Sequence, residues 1–114
     1  MSSYYDLEQV LRLQGVMGKD VAAIVAPLLT TMTEAIEELE AAVAAGDLDR
    51  ATRAAHRCRN DALALGARPL LKALTEVEEA GRAYDDARVA EALGRVHEVW
   101  PPTRDELVAG TNPP

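Results

Sequence analysis

The sequence has no Phe, one Cys and only four aromatic residues, Tyr4, Tyr5, Tyr84 and Trp100. A single Cys excludes an internal disulfide and a Cys-rich zinc site. The shortage of aromatic and β-branched side chains argues against a β-sandwich core. Basic residues are also few: 12 Lys and Arg stand against 19 Asp and Glu, a formal net charge of −7. That balance argues against general binding to nucleic acid or to anionic membrane surfaces, which needs extended basic fields. Long apolar runs are missing too. The stretch from Val21 to Leu29 is interrupted by Pro27, well short of the roughly 18–20 residues of a membrane span. The opening run Met1-Ser2-Ser3-Tyr4-Tyr5-Asp6 has neither a basic nor an apolar segment of the secretory type. The expectation is a cytoplasmic protein whose thiol stays reduced.

What the chain does have is 21 Ala, 14 Leu and 10 Val in 114 residues. Ala is the best helix former and Leu is close behind, so the fold class is all-α and the length suits one domain. Asp6 to Leu13, with Leu7, Val10 and Leu11 on one face, reads as a short extra N-terminal helix. Lys19 to Ala45 carries Val21, Val25, Leu28, Met32, Ala35, Leu39 and Ala42 at alternating spacings of four and three. Its apolar phase continues across Pro27, which predicts a kink rather than a break. Gly46 and Asp47 then close one helix and open the next, Leu48 to Leu65, which Gly66 stops. A third helix spans about 68–83, with Pro69 in its first turn and a stripe of Leu70, Leu74, Val77, Gly81 and Tyr84. Val89, Leu93, Val96 and Trp100 mark a fourth. Pro101-Pro102 should end or sharply kink it, leaving Thr103 to Ala109 as a last piece. Short loops make neighbours antiparallel, so the prediction is an up-down antiparallel four-helix bundle over residues 1–109, with a flexible tail at 110–114.

One segment runs against the overall charge. Between Arg50 and Arg59 there are four Arg, one His and no acid. At about 100° per residue, Arg53 and Arg59 lie about 60° to either side of His56, and Thr52 and Asn60 about 40° away. Leu63 falls about 20° off the His56 direction by the same count, an apolar residue where burial does not call for one. Ala51, Ala54, Ala55, Cys58, Ala62 and Leu65 gather on the opposite side. His56 therefore should point to solvent inside a basic collar. A neutral imidazole is a nucleophile at physiological pH. Guanidinium groups around it would bind a phosphoryl group on its ring through charge-assisted hydrogen bonds. For that role His56 must be exposed and Arg59 must not turn away into an ion pair.

The stretch His56-Arg57-Cys58-Arg59-Asn60-Asp61-Ala62-Leu63-Ala64-Leu65-Gly66-Ala67 resembles the histidine-containing phosphotransfer (HPt) domain motif. That motif has a His, a Lys or Arg three residues on, a Gly next, and a Leu-Gly about ten residues after the His. Ala44-Ala45-Gly46-Asp47 and Ala54-Ala55-His56 upstream, and Leu70, Leu74 and Glu78 downstream, resemble the same family over roughly residues 6–100. Arg59 stands where Lys is usual, and Asn60 where the family most often has Gly. The resemblance implies a phosphoryl carrier rather than an autonomous enzyme, relaying a phosphoryl group between receiver-domain aspartates of response regulators and hybrid histidine kinases. His56 would be the acceptor, Arg59 and Arg53 would neutralise phosphoryl charge, and Asn60, Leu63, Thr52 and Arg57 would line the docking face. It implies no cofactor on this chain, with Mg²⁺ brought by the receiver, and a monomer. The alternative is an HPt-like adaptor that binds a receiver or kinase without being phosphorylated, a reading that Asn60 keeps open.

Other candidates read as structural. Cys58 lies about 160° around the helix from His56, so the two cannot share a metal, and it reads as core. His97 reads as a bundle-edge or surface residue, the Glu34 to Glu40 cluster as a solvated face, and Trp100 as a plug at the end of the core.

Overall fold

The computed structural model describes residues 21–111. Four helices follow one another: α1 Val21–Ala44, α2 Leu48–Leu65, α3 Arg68–Arg82 and α4 Asp86–Thr111. The predicted extra helix at Asp6 to Leu13 lies outside the described residues. Connections of two or three residues oblige successive helices to run antiparallel. Contacts of α2 with α1 and α3, of α3 with α4, and of α4 with α1 close the bundle, and its extents are 43 × 20 × 19 Å.

Each helix buries the stripe that its spacing sets. On α1 these are Val25, Met32, Ala35, Ile36, Leu39 and Ala42, and on α3 Leu70, Ala73, Leu74, Val77 and Ala80. Each large aliphatic side chain fully withdrawn from water contributes about 1.5–3 kcal/mol. On α2 the buried set is Ala51, Ala54, Ala55, Cys58, Ala62 and Leu65, the six placed there from sequence. Small side chains on this face let neighbouring helices come close. One such close approach is between Thr52 and Gly81, where a Cβ on Gly81 would overlap the Thr52 hydroxyl oxygen. Burial pushes the Cys58 thiol up to about 12, as expected of a core sulfur rather than a reactive one.

The three connections share one device. A residue with positive φ ends the helix, and the next amide donates back five residues. Gly46 (φ 71) is followed by Asp47 N–H to the Ala42 carbonyl at 2.9 Å, and Gly66 (φ 65) by Ala67 N–H to the Ala62 carbonyl at 2.9 Å. At the third connection the residue is Tyr84 (φ 52), with Asp85 N–H donating to the Ala80 carbonyl at 3.0 Å. Tyr84 was expected on the buried stripe of the third helix. It is instead the turn residue, 65% exposed, with its hydroxyl donating to Asp49 Oδ1 at 2.8 Å. Its left-handed backbone disfavours any side chain with a Cβ, by roughly 1–2 kcal/mol.

The prolines leave both helices unbroken, as expected at Pro27 but not at Pro101-Pro102, where an end to the helix was one of the two expected outcomes. α1 runs through Pro27, where Ala23 and Pro27 are both exposed, so the carbonyl that loses its helical donor lies on the solvent side. α4 does not end at Pro101-Pro102 but continues to Thr111. Trp100, Thr103 and Leu107 stay buried on one stripe across the prolines, and the Thr103 hydroxyl donates to the Val99 carbonyl at 2.5 Å. Packing outweighs the two missing N–H donors. No helix among the described residues is long and apolar enough to cross a membrane.

Candidate functional site

His56 lies in the middle of α2, and the Ala face opposite it is what turns it outward. Its side chain is 48% exposed. The ring is nevertheless fixed. Nδ1 lies 2.5 Å from Oε1 of Glu78 on α3, and Glu78 is only 2% exposed. A carboxylate can only accept, so Nδ1 carries the proton and Nε2 holds the lone pair. The Arg59 Nη2 atom, 3.4 Å from Nδ1, then faces another donor. That contact is proximity, not a hydrogen bond, because the shorter carboxylate contact sets the tautomer.

Glu78 gathers more than the imidazole. Arg82, one turn on along α3, places Nη2 at 2.9 Å from Oε1, and Arg59 places Nε at 3.0 Å from Oε2. A carboxylate this deeply buried needs such partners to remain charged. Arg59 was expected beside His56 and not turned away into an ion pair. It is ion-paired, but to the carboxylate that holds His56, so it stays against the ring. The pairing is also incomplete. Arg59 Nε is buried with no aligned hydrogen-bond acceptor, despite its distance from Oε2.

The remaining residues separate by flank. On the α3 side, Thr52 is half-buried with its hydroxyl donating to the Leu48 carbonyl at 2.7 Å. It lies against Gly81, so less of it faces solvent than of Arg53 or Asn60. On the α1 side, Arg53, Arg57 and Asn60 are exposed. Leu63, one turn beyond Asn60 and close to the His56 direction, is 56% exposed. Thr31, Glu34, Ala35, Glu38, Arg57, Asn60 and Asp61 line an open groove of about 580 Å³ between α1 and α2. Arg50 does not belong to the collar: its Nε pairs with Glu38 of α1, and that guanidinium holds the Glu38 carboxyl below its ordinary range. His97, at the edge of α4, pairs with Glu40 at 2.7 Å. Among the described residues no group of three or more His, Cys, Asp or Glu could hold a metal ion.

Sequence reasoning quoted Glu78 but gave it no part in the site. A signal was present: it is the one acid among the positions that α3 buries, one residue after Val77 and four after Leu74.

An exposed imidazole with a fixed tautomer, guanidinium groups beside it and a buried carboxylate behind it form a nucleophile without a cleft. A reacting partner must close over it. A family model described as Hpt domain matches residues 23–101. No curated protein and no solved structure gives a match.

Proposed function

The chain belongs to the Hpt domain family, whose members carry phosphoryl groups on histidine in two-component signalling, and from that premise we propose that His56 takes a phosphoryl group from a receiver-domain aspartyl phosphate and passes it to another receiver. The observation that carries this is the Nδ1–Glu78 contact at 2.5 Å beneath an exposed ring. With the proton held on Nδ1, the Nε2 lone pair attacks phosphorus. The P–N bond forms as the P–O bond to the aspartyl carboxylate breaks, and that carboxylate leaves with the electron pair. The ring becomes cationic, and the Glu78 carboxylate compensates its charge while keeping the Nδ1 proton in place. Return transfer is the reverse.

Arg53 and Arg59 flank the ring and supply positive charge to the phosphoryl oxygens. Asn60, Leu63 and Arg57 face the incoming receiver. This role fits the acidic background, because one phosphoryl group needs a local collar rather than a basic field. The test is incubation with a phosphorylated receiver, followed by acid-lability analysis. Acid-labile, base-stable label on the wild type and none on His56→Gln is the expected result. A folded wild type that takes no label from any receiver of its source organism overturns the carrier and favours the adaptor.

A further inference from the structure

Glu78 meets two guanidinium groups besides the imidazole it clamps. Its Oε1 receives both His56 Nδ1 and Arg82 Nη2, and its Oε2 lies beside Arg59 Nε. Two guanidinium groups therefore attend one buried carboxylate, an excess of positive charge on the side of α2 that carries His56. The two differ. Arg59 sits on the helix of His56, one turn away, with an Nε that finds no aligned acceptor. Arg82 sits on the helix of Glu78, 63% exposed, and makes a hydrogen bond at 2.9 Å.

A phosphoryl group on Nε2 would bring nearly two negative charges beside Arg59. Arg59 is already within 3.4 Å of the ring, and its weakly aligned contact with Oε2 is the easier of the two to give up. What opposes its departure is the carboxylate, since a buried charge stripped of its counter-cation is strongly disfavoured. Arg82 removes that obstacle by remaining. Resting on the reading of His56 as acceptor, we propose that Arg82 is a positioning residue that keeps Glu78 neutralised so that Arg59 can pass from Glu78 to the phosphoryl group.

The experiment compares carriers in pairs. His56 is first labelled with phosphoramidate: Nε2 attacks phosphorus, the P–N bond of the reagent breaks, and ammonia leaves with a proton. Labelled protein is then mixed with an equal amount of an unlabelled variant and a trace of a receiver, and the equilibrium partition of label is measured. Wild type against Arg59→Ala should favour wild type about tenfold, the worth of one charge-assisted hydrogen bond. Arg82→Gln against the Arg82→Gln/Arg59→Ala double variant should partition within about twofold, because Arg59 is then retained by Glu78. Arg82→Lys, which keeps the charge, should restore most of the tenfold preference. If Arg82 served only to hold α3 together, its loss would lower thermal stability and leave the Arg59 preference at about tenfold in both backgrounds. That result overturns the proposal. Failure of phosphoramidate to label His56, or of the receiver to exchange the label, overturns the carrier reading instead, and this inference with it.

Discussion

The two flanks of His56 are built differently although both come from one run of basic residues. Toward α3, Arg59 and Thr52 are engaged: the first by a carboxylate that is 2% exposed, the second by the close approach of Gly81. Toward α1, Arg53, Arg57 and Asn60 are exposed beside an open groove. The wheel angles treat the flanks as mirror images, Arg53 and Arg59 each about 60° from His56. Which neighbouring helix comes near, and with what side chain, breaks that symmetry. The α3 flank fixes the imidazole; the α1 flank is left open.

The largest effect should follow from removing the group that organises the fixed flank. Glu78→Ala leaves Arg59 Nε buried and unpaired, frees the His56 tautomer and opens a small cavity. It should destabilise the fold by about 3 kcal/mol, read as a drop in urea midpoint, and slow labelling of His56. Arg53→Ala on the open flank, by contrast, should stay within about 0.5 kcal/mol of wild type. Equal losses for the two variants would erase the distinction between the flanks.

The helix contact beneath the fixed flank is the next test. Gly81→Ala pushes a methyl group into the Thr52 hydroxyl, and overpacking of this kind costs about 1–3 kcal/mol. Helix propensity returns close to 1 kcal/mol, so a net loss of about 1 kcal/mol is expected in thermal unfolding. Thr52→Ala added to it should restore stability, because the obstructing oxygen is gone. A double variant as unstable as Gly81→Ala alone would place the obstruction elsewhere.

Much of this was legible in the sequence. The boundaries of α2 and all six of its buried residues follow from a 3.6-residue period bounded by Asp47 and Gly66, because local propensity, capping and burial agree there. The prolines of α4 misled as to where the helix ends, since chain-local rules ignore the burial of Thr103 and Leu107 on the far side of them. Tyr84 misled for a related reason: its spacing from Gly81 continues the stripe of α3, and only the backbone shows that the helix has already turned. At the site, the exposure of His56 could be read from the Ala face opposite it. The engagement of Arg59 could not, because its partner lies 19 positions on, in another helix. Glu78 was visible only as an acid out of place on an apolar stripe.

A smaller stability effect, with an opposite effect on rate, is expected at Asn60 on the open flank. Asn60→Gly removes a side chain next to His56 and should speed transfer from a receiver if that side chain crowds docking. The same change places Gly inside a helix, at a cost of a few tenths of a kcal/mol up to about 1 relative to Asn. Faster transfer with a slightly lower melting temperature is the expected combination, measured by rapid-quench labelling and thermal scans. An unchanged rate would mean that Asn60 does not restrict the approach, and that the open flank accepts a receiver as it is.

The smallest effect concerns the ion pair where α1 meets α2. The Arg50 guanidinium holds the Glu38 carboxyl below its ordinary range through a side-chain hydrogen bond. A carboxyl lowered in the folded protein adds stability above its unfolded value, and that contribution disappears as pH falls below about 4.5. Glu38→Gln should therefore lower the melting temperature slightly at neutral pH, and its difference from wild type should shrink as pH falls below about 4.5 and protonation removes the same interaction. Both partners are about one-third exposed, so salt near 1 M should shrink the neutral-pH difference. The loss caused by Glu78→Ala should survive that salt, because its carboxylate is shielded from solvent. Salt thus separates the two flanks without any measurement of transfer, and equal salt sensitivity would show that Glu78 is as accessible to water as Glu38.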